Sequence, residues 1–111
     1  MDETRYDFQK LEVYKKAMDF VDKFFELTER FPRTLQYSLG DQLRRAALSI
    51  CNNLAEGSQK HGYALDSSRE CVPMLELAYR RKLIDEHAYE ALADTCFHIG
   101  NMLYRLIQST R

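Results

Sequence analysis

The chain carries almost no net charge: sixteen basic residues meet seventeen acidic ones, for a formal balance of −1. Long-range attraction to nucleic acid or to a membrane surface has no global source here, so binding of that kind needs a local patch. Long apolar runs are also missing, and no segment approaches the roughly 18 uninterrupted apolar residues of a membrane span. Met1 to Asp7 contain no apolar signal region, so a cytoplasmic protein without membrane contact is expected. The four glycines are scattered and form no phosphate-cradling loop. The three cysteines, Cys51, Cys71 and Cys96, are odd in number and lie inside apolar periodic stretches. They read as small buried hydrophobes in a reducing compartment, not as a disulfide framework.

Constellations that carry chemistry are missing too. A di-iron bundle needs Glu-x-x-His pairs on facing helices, and none of His61, His87 and His98 has a glutamate three residues earlier. Cys96 and His98 are two apart, which directs them to different sides of a helix and makes a shared metal ion difficult. Ser49 and Ser58 sit in no nucleophile elbow. No arginine is followed five residues later by a histidine, as a helical ribonuclease of the Arg-x4-His kind would require. No catalytic residue, metal ligand or cofactor is expected, and the chain is read as a non-enzyme.

What remains is helical periodicity. At 111 residues, with 45% apolar and 30% charged content, the chain fits one globular domain spanning 1–111. Val13, Ala17, Phe20, Phe24, Leu27 and Phe31 alternate steps of four and three, with Val21 and Thr28 beside them, which predicts a helix over about 8–31. Its outer face sets Glu12–Lys16, Asp19–Lys23 and Glu26–Arg30 at i,i+4, and Pro32 should stop it. Residues 33–39 read as a connection. A second helix is predicted over about 40–56, with Asp41 near its N-terminus and Gly57 at C′. The third covers about 64–82 and should kink at Pro73. The fourth covers about 85–109 behind an Asp85 N-cap, along Tyr89, Leu92, Cys96, Ile99, Leu103 and Leu106. Short connections and no alternating β pattern predict an all-α, antiparallel up-down-up-down four-helix bundle.

One polar stripe stands out on the second helix. Arg45, Ser49, Asn52 or Asn53, and Glu56 recur at helical spacing beside the apolar face. One reading is structural, with Arg45 and Glu56 fixing the packing register. The other joins Arg44 and Arg45 with Lys60 and His61 into a phosphate-contacting surface. Lys15–Lys16 and Arg80–Lys82 are further basic clusters. Tyr6, Phe8, Tyr14, Phe25, Tyr37, Tyr63 and Phe97 are too many large rings for one small core, so two apolar outer faces and self-assembly are expected.

The segment 39–57, LGDQLRRAALSICNNLAEG, resembles the signature of the proteins encoded in 23S rRNA intervening sequences, matching it at Gln42, Arg44, Arg45, Ala46, Ser49, Asn53, Ala55, Glu56 and Gly57. Leu11–Ala17, Ser68–Cys71 and Leu83–Asp85 are similar to other parts of that family. The resemblance implies a four-helix bundle in a closed homopentamer. Through a related accessory determinant of diversity-generating retroelements, it also implies nucleic acid, RNA or a ribonucleoprotein as partner; a protein-only adaptor is the alternative. It assigns Gln42, Ser49, Asn53, Glu56 and Gly57 a structural role. Two departures from the pattern are visible. Gly40 stands where a capping Ser or Thr is usual, and the stretch after Gly57 is shorter. The latter implies either a shortened third helix or an absent segment flanking Lys60–Tyr63.

Overall fold

The computed structural model describes residues 4–110, so Met1, Asp2, Glu3 and Arg111 of the expected 1–111 domain lie outside the described residues. Four main helices account for the bundle: α1 (Glu12–Thr28), α2 (Asp41–Glu56), α3 (His61–Arg80) and α4 (Glu86–Ser109). Each packs against the next and α4 closes the ring against α1, the arrangement that short connections impose on antiparallel neighbours. The described residues contain no strand. The molecule measures 41 × 30 × 22 Å.

The core follows the apolar stripes. Val13, Ala17, Phe20, Val21 and Phe24 of α1 meet Leu43, Ala46, Ala47, Ile50, Cys51 and Leu54 of α2. Ala64, Cys71, Leu75 and Ala78 of α3 and Leu92, Cys96, Ile99 and Leu103 of α4 complete it. Burying each large side chain contributes about 1.5–3 kcal/mol before chain entropy is subtracted.

Helix ends depart from expectation for identifiable reasons. α1 begins at Glu12 instead of about residue 8 because Leu11 is extended (φ −66°, ψ 132°). Asp7–Lys10 forms a separate 3₁₀ turn, in which Gln9 Oε1 accepts hydrogen bonds from the Arg5 and Tyr6 amides at 2.9 Å each. That turn places Phe8 edge-on to Tyr14, with ring centroids 5.1 Å apart. α1 ends at Thr28, and Arg30 and Phe31 donate to Leu27 O and Thr28 O in tightened turns before Pro32. The charged pairs on α1 form at i,i+3 (Glu12–Lys15 and Lys23–Glu26, both 3.5 Å) and not at the expected i,i+4.

Residues 33–40 are not a loose connection. A helical turn, Arg33–Leu35, opens into a π turn, Gln36–Gly40, that runs directly into α2. Gly40 is therefore inside a helix (φ −58°, ψ −47°), not at a missing cap. A Cβ there would stand 3.2 Å from both Arg44 Nη1 and Leu35 O, so close approach explains the glycine. Gly57 ends α2 at φ 112°, a conformation that disfavours any side chain.

The chain runs on without an inserted segment: the 3₁₀ turn Ser58–Lys60 leads straight into α3, which has 20 residues and starts three earlier than expected. α3 passes through Pro73 without interruption, the proline lying on its exposed side. Beyond Arg80, Lys82 adopts φ 62°. The Leu83 and Lys82 amides bond back to Ala78 O and Tyr79 O at 2.9 Å, a Schellman closure built on a non-glycine residue. Asp85 caps α4 as expected, accepting from the Ala88 amide at 2.8 Å.

Candidate functional site

The two adjacent arginines of α2 have opposite surroundings. Arg44 is turned inward, with its side chain 20% exposed. Its Nη1 donates to Thr28 Oγ1 at 2.7 Å and its Nη2 to the Gln36 carbonyl at 2.8 Å. The guanidinium carbon lies 5.7 Å from the centre of the Phe25 ring, within cation–π range. Thr28 Oγ1 donates a hydrogen bond to Phe24 O at 2.7 Å, and Gln36 Nε2 caps the end of α1 by donating to Glu29 O and Phe31 O. One charged side chain thereby ties α1, the π turn and α2 together. Arg45 points to solvent, 80% exposed, with Nε 2.9 Å from Asp41 Oδ2. Asp41 stands in the first turn of α2, as expected, and serves as this partner.

Lys60 is exposed and its ammonium lies 5.0 Å from the centre of the exposed Tyr63 ring. His61 is 6% exposed, and its Nδ1 is buried without a hydrogen-bond partner. Burial holds its pKa below the ordinary histidine value, so the ring is neutral. The four residues expected to form one phosphate-contacting surface therefore do not gather. Arg44 is engaged inside, His61 is buried, and Arg45 lies roughly 17 Å, at 1.5 Å per residue, from the end of α2 beyond which Lys60 sits.

The structural set behaves differently. Ser49 Oγ and Ser67 Oγ are 2.9 Å apart across α2 and α3. Asn53 Nδ2 donates to Ser49 O and Oγ at 2.8 and 3.1 Å. The seam continues inward: Cys71 Sγ donates to Ser67 O at 3.4 Å, and Cys96 Sγ of α4 donates to Ser68 O at 3.0 Å. Ser67, 7% exposed, and Ser68, 1% exposed, were not read as core from the sequence, because serine carries no apolar signal that marks it as such. Gln42 and Glu56 are exposed, and Gly57 supplies the turn.

The buried cysteines shift in different directions: the contact with Cys71 holds the Cys96 thiol below its ordinary value, whereas the other two are raised. Burial pushes the Cys51 thiol up to about 11. The Cys96 sulfur and burial together push Cys71 up as well, and a protonated thiol is a poor nucleophile. All three cysteines are free and buried. Among the described residues no group of His, Cys, Asp or Glu could hold a metal ion, and no helix is long and apolar enough to cross a membrane.

A half-open groove of about 450 Å³ runs between α3 and α4, with Val72, Tyr89, Phe97 and Tyr104 on its walls. Arg69 is its one charged lining residue. Exposed rings stand on this side, with Phe97 66% and Tyr104 55% exposed, and on the side of α1 and the π turn, with Phe25 47% and Tyr37 78% exposed; Tyr6, Tyr63 and Tyr79 are exposed as well.

The fold matches a crystal structure from Bacteroides thetaiotaomicron, described as a protein with unknown function from the S23 ribosomal protein family. The TM-score is 0.77 at 23% identity, over 86% of this chain and 95% of that chain. Among curated proteins none matches. The model of the 23S rRNA-intervening sequence protein family matches residues 9–105, which include all four helices except the last turn of α4. The chain therefore belongs to the 23S rRNA-intervening sequence protein family.

Proposed function

We propose that the protein is a non-enzymatic scaffold of the cytoplasm, a homo-oligomeric bundle that binds RNA or a ribonucleoprotein. The observation carrying this reading is the presence of exposed aromatic residues on two outer sides of one small bundle. A monomer has no use for two such faces, whereas a ring or chain of copies covers both. The family resemblance supports a closed pentamer. RNA contact falls to Arg45 and to Lys60 with its neighbouring Tyr63 ring, a cation beside a stacking surface. Arg44 and His61 leave the contact set because one is bonded internally and the other is buried. Repetition around an axis multiplies a patch that a chain of net charge −1 presents weakly.

The test is fluorescence anisotropy with a labelled structured RNA at two salt concentrations. Binding that weakens with salt, and weakens further in Arg45→Ala/Lys60→Ala, supports the RNA reading. Absence of binding at low salt leaves the protein-only adaptor as the function.

A further inference from the structure

The α3–α4 groove has an unfilled floor. Gly100 of α4 lies in it, and a Cβ added there would meet Ser68 Oγ at 3.8 Å and Leu65 Cδ1 at 4.0 Å, both ordinary contacts. Alanine would fit and would favour the helix by about 1 kcal/mol, so nothing inside the monomer requires a glycine. Arg69 on the groove wall has no ion-pair partner among the described residues.

The outer face of α1 has complementary character. Phe25, 47% exposed, is flanked by Asp19, Asp22, Glu26 and Glu29 around a shallow surface depression. Of these acids only Glu26 has an ion partner among the described residues, Lys23. An apolar knob in an acidic collar thus stands on one side of the bundle and an apolar groove with a lone cation on another.

The heights agree. α1 and α3 start at the same end of an up-down bundle, at Glu12 and His61. Asp19 and Arg69 both lie roughly 11 Å along their helices, and Phe25 is level with Met74, next to groove-lining Leu75, at roughly 20 Å. Two copies turned about an axis parallel to the helices bring these pairs opposite each other.

We infer that the α3–α4 groove is the seat for α1 of a second copy of this chain, with Phe25 entering the groove and the acids of α1 meeting Arg69. The contact is heterologous: every copy offers one groove and one knob, so a suitable rotation closes a ring. This assignment rests on the assembly reading above and adds which surfaces make it.

The experiment uses the full chain and two single variants, Arg69→Glu (groove blocked) and Phe25→Glu (knob blocked), measured by multi-angle light scattering with circular dichroism as a folding control. Each variant alone should run as a monomer, and an equimolar mixture should run as a dimer, because only one groove and one knob remain open between them. Should either substitution prevent folding, Gly100→Leu fills the groove at a position with free space and serves in place of Arg69→Glu. Oligomeric wild type with oligomeric variants overturns the assigned faces and leaves assembly standing. Monomeric variants whose mixture stays monomeric overturn the knob-and-groove pairing. A monomeric wild type overturns assembly and this inference together.

Discussion

Two polar clusters hold this bundle together, and they are built on different principles. At one end, the Arg44 guanidinium joins α1, the π turn and α2 through Thr28 Oγ1 and the Gln36 carbonyl. In the middle, the neutral Ser49–Ser67–Ser68–Cys96 seam joins α2, α3 and α4. A charge held inside a fold is costly unless every partner is present, so the first cluster cannot lose one member cheaply. Neutral hydroxyls facing each other can be removed together at little cost. The charged knot acts as an all-or-none joint; the neutral seam sets how two helices lie together.

The largest effect is expected at that joint. Arg44→Met keeps the length of the side chain, abandons the Thr28 and Gln36 oxygens, and should cost about 2–3 kcal/mol in urea unfolding. Arg45→Met, one residue away on the exposed side, should change stability by less than about 0.5 kcal/mol. Equal losses in the two variants would break the distinction between them.

The seam should show the opposite arithmetic. Ser49→Ala or Ser67→Ala alone should cost about 1 kcal/mol, and the double variant less than the sum of the two. Strict additivity in that cycle would mean the 2.9 Å contact contributes no coupling.

His61 links pH to stability near the C-terminal end of α2. Its folded pKa lies below that of the unfolded chain, so below about pH 6.5 the unfolded state takes up more protons. Its contribution is complete above that pH and is lost as the pH falls further. The thermal midpoint should therefore drop between pH 7 and pH 5, and His61→Phe should remove that part of the slope. Superimposable pH profiles for the two proteins would show that His61 does not couple to folding.

One expected change is a gain. Lys82 closes α3 at φ 62°, a conformation glycine adopts without steric cost. Lys82→Gly should raise stability by about 0.5–1 kcal/mol in thermal or urea melts.

Much of the helix content was legible from residue order because burial of one stripe leaves a period in the chain. Val13 through Phe24 and Leu92 through Leu103 fall where that period places them. The helix starts were less legible. The π turn depends on Gln36 reaching back to Glu29 and on Arg44 reaching back to Gln36, contacts between residues that local propensity does not couple. Pro32 reads as a stop and Gly40 as a weakened cap, yet the first also opens a helical turn and the second permits close approach. Arg44 and Arg45 look alike in sequence, but one step turns a side chain by about 100° around the helix, enough to separate an internal joint from an exposed cation. His61 followed Lys60 into the expected surface for the same reason, since the periodicity of α3 was read only from Ala64 onward. The seam escaped because Ser67 and Ser68 carry no apolar label, although Thr28 inside an apolar stripe was a visible sign that polar groups enter the core.

The central claim is that this bundle is a unit of a larger assembly, and the mass of the particle in solution tests it most directly. Light scattering of the wild-type chain at micromolar concentration should return several times the 13.1 kDa of one chain. A particle of 13.1 kDa at every concentration contradicts the account.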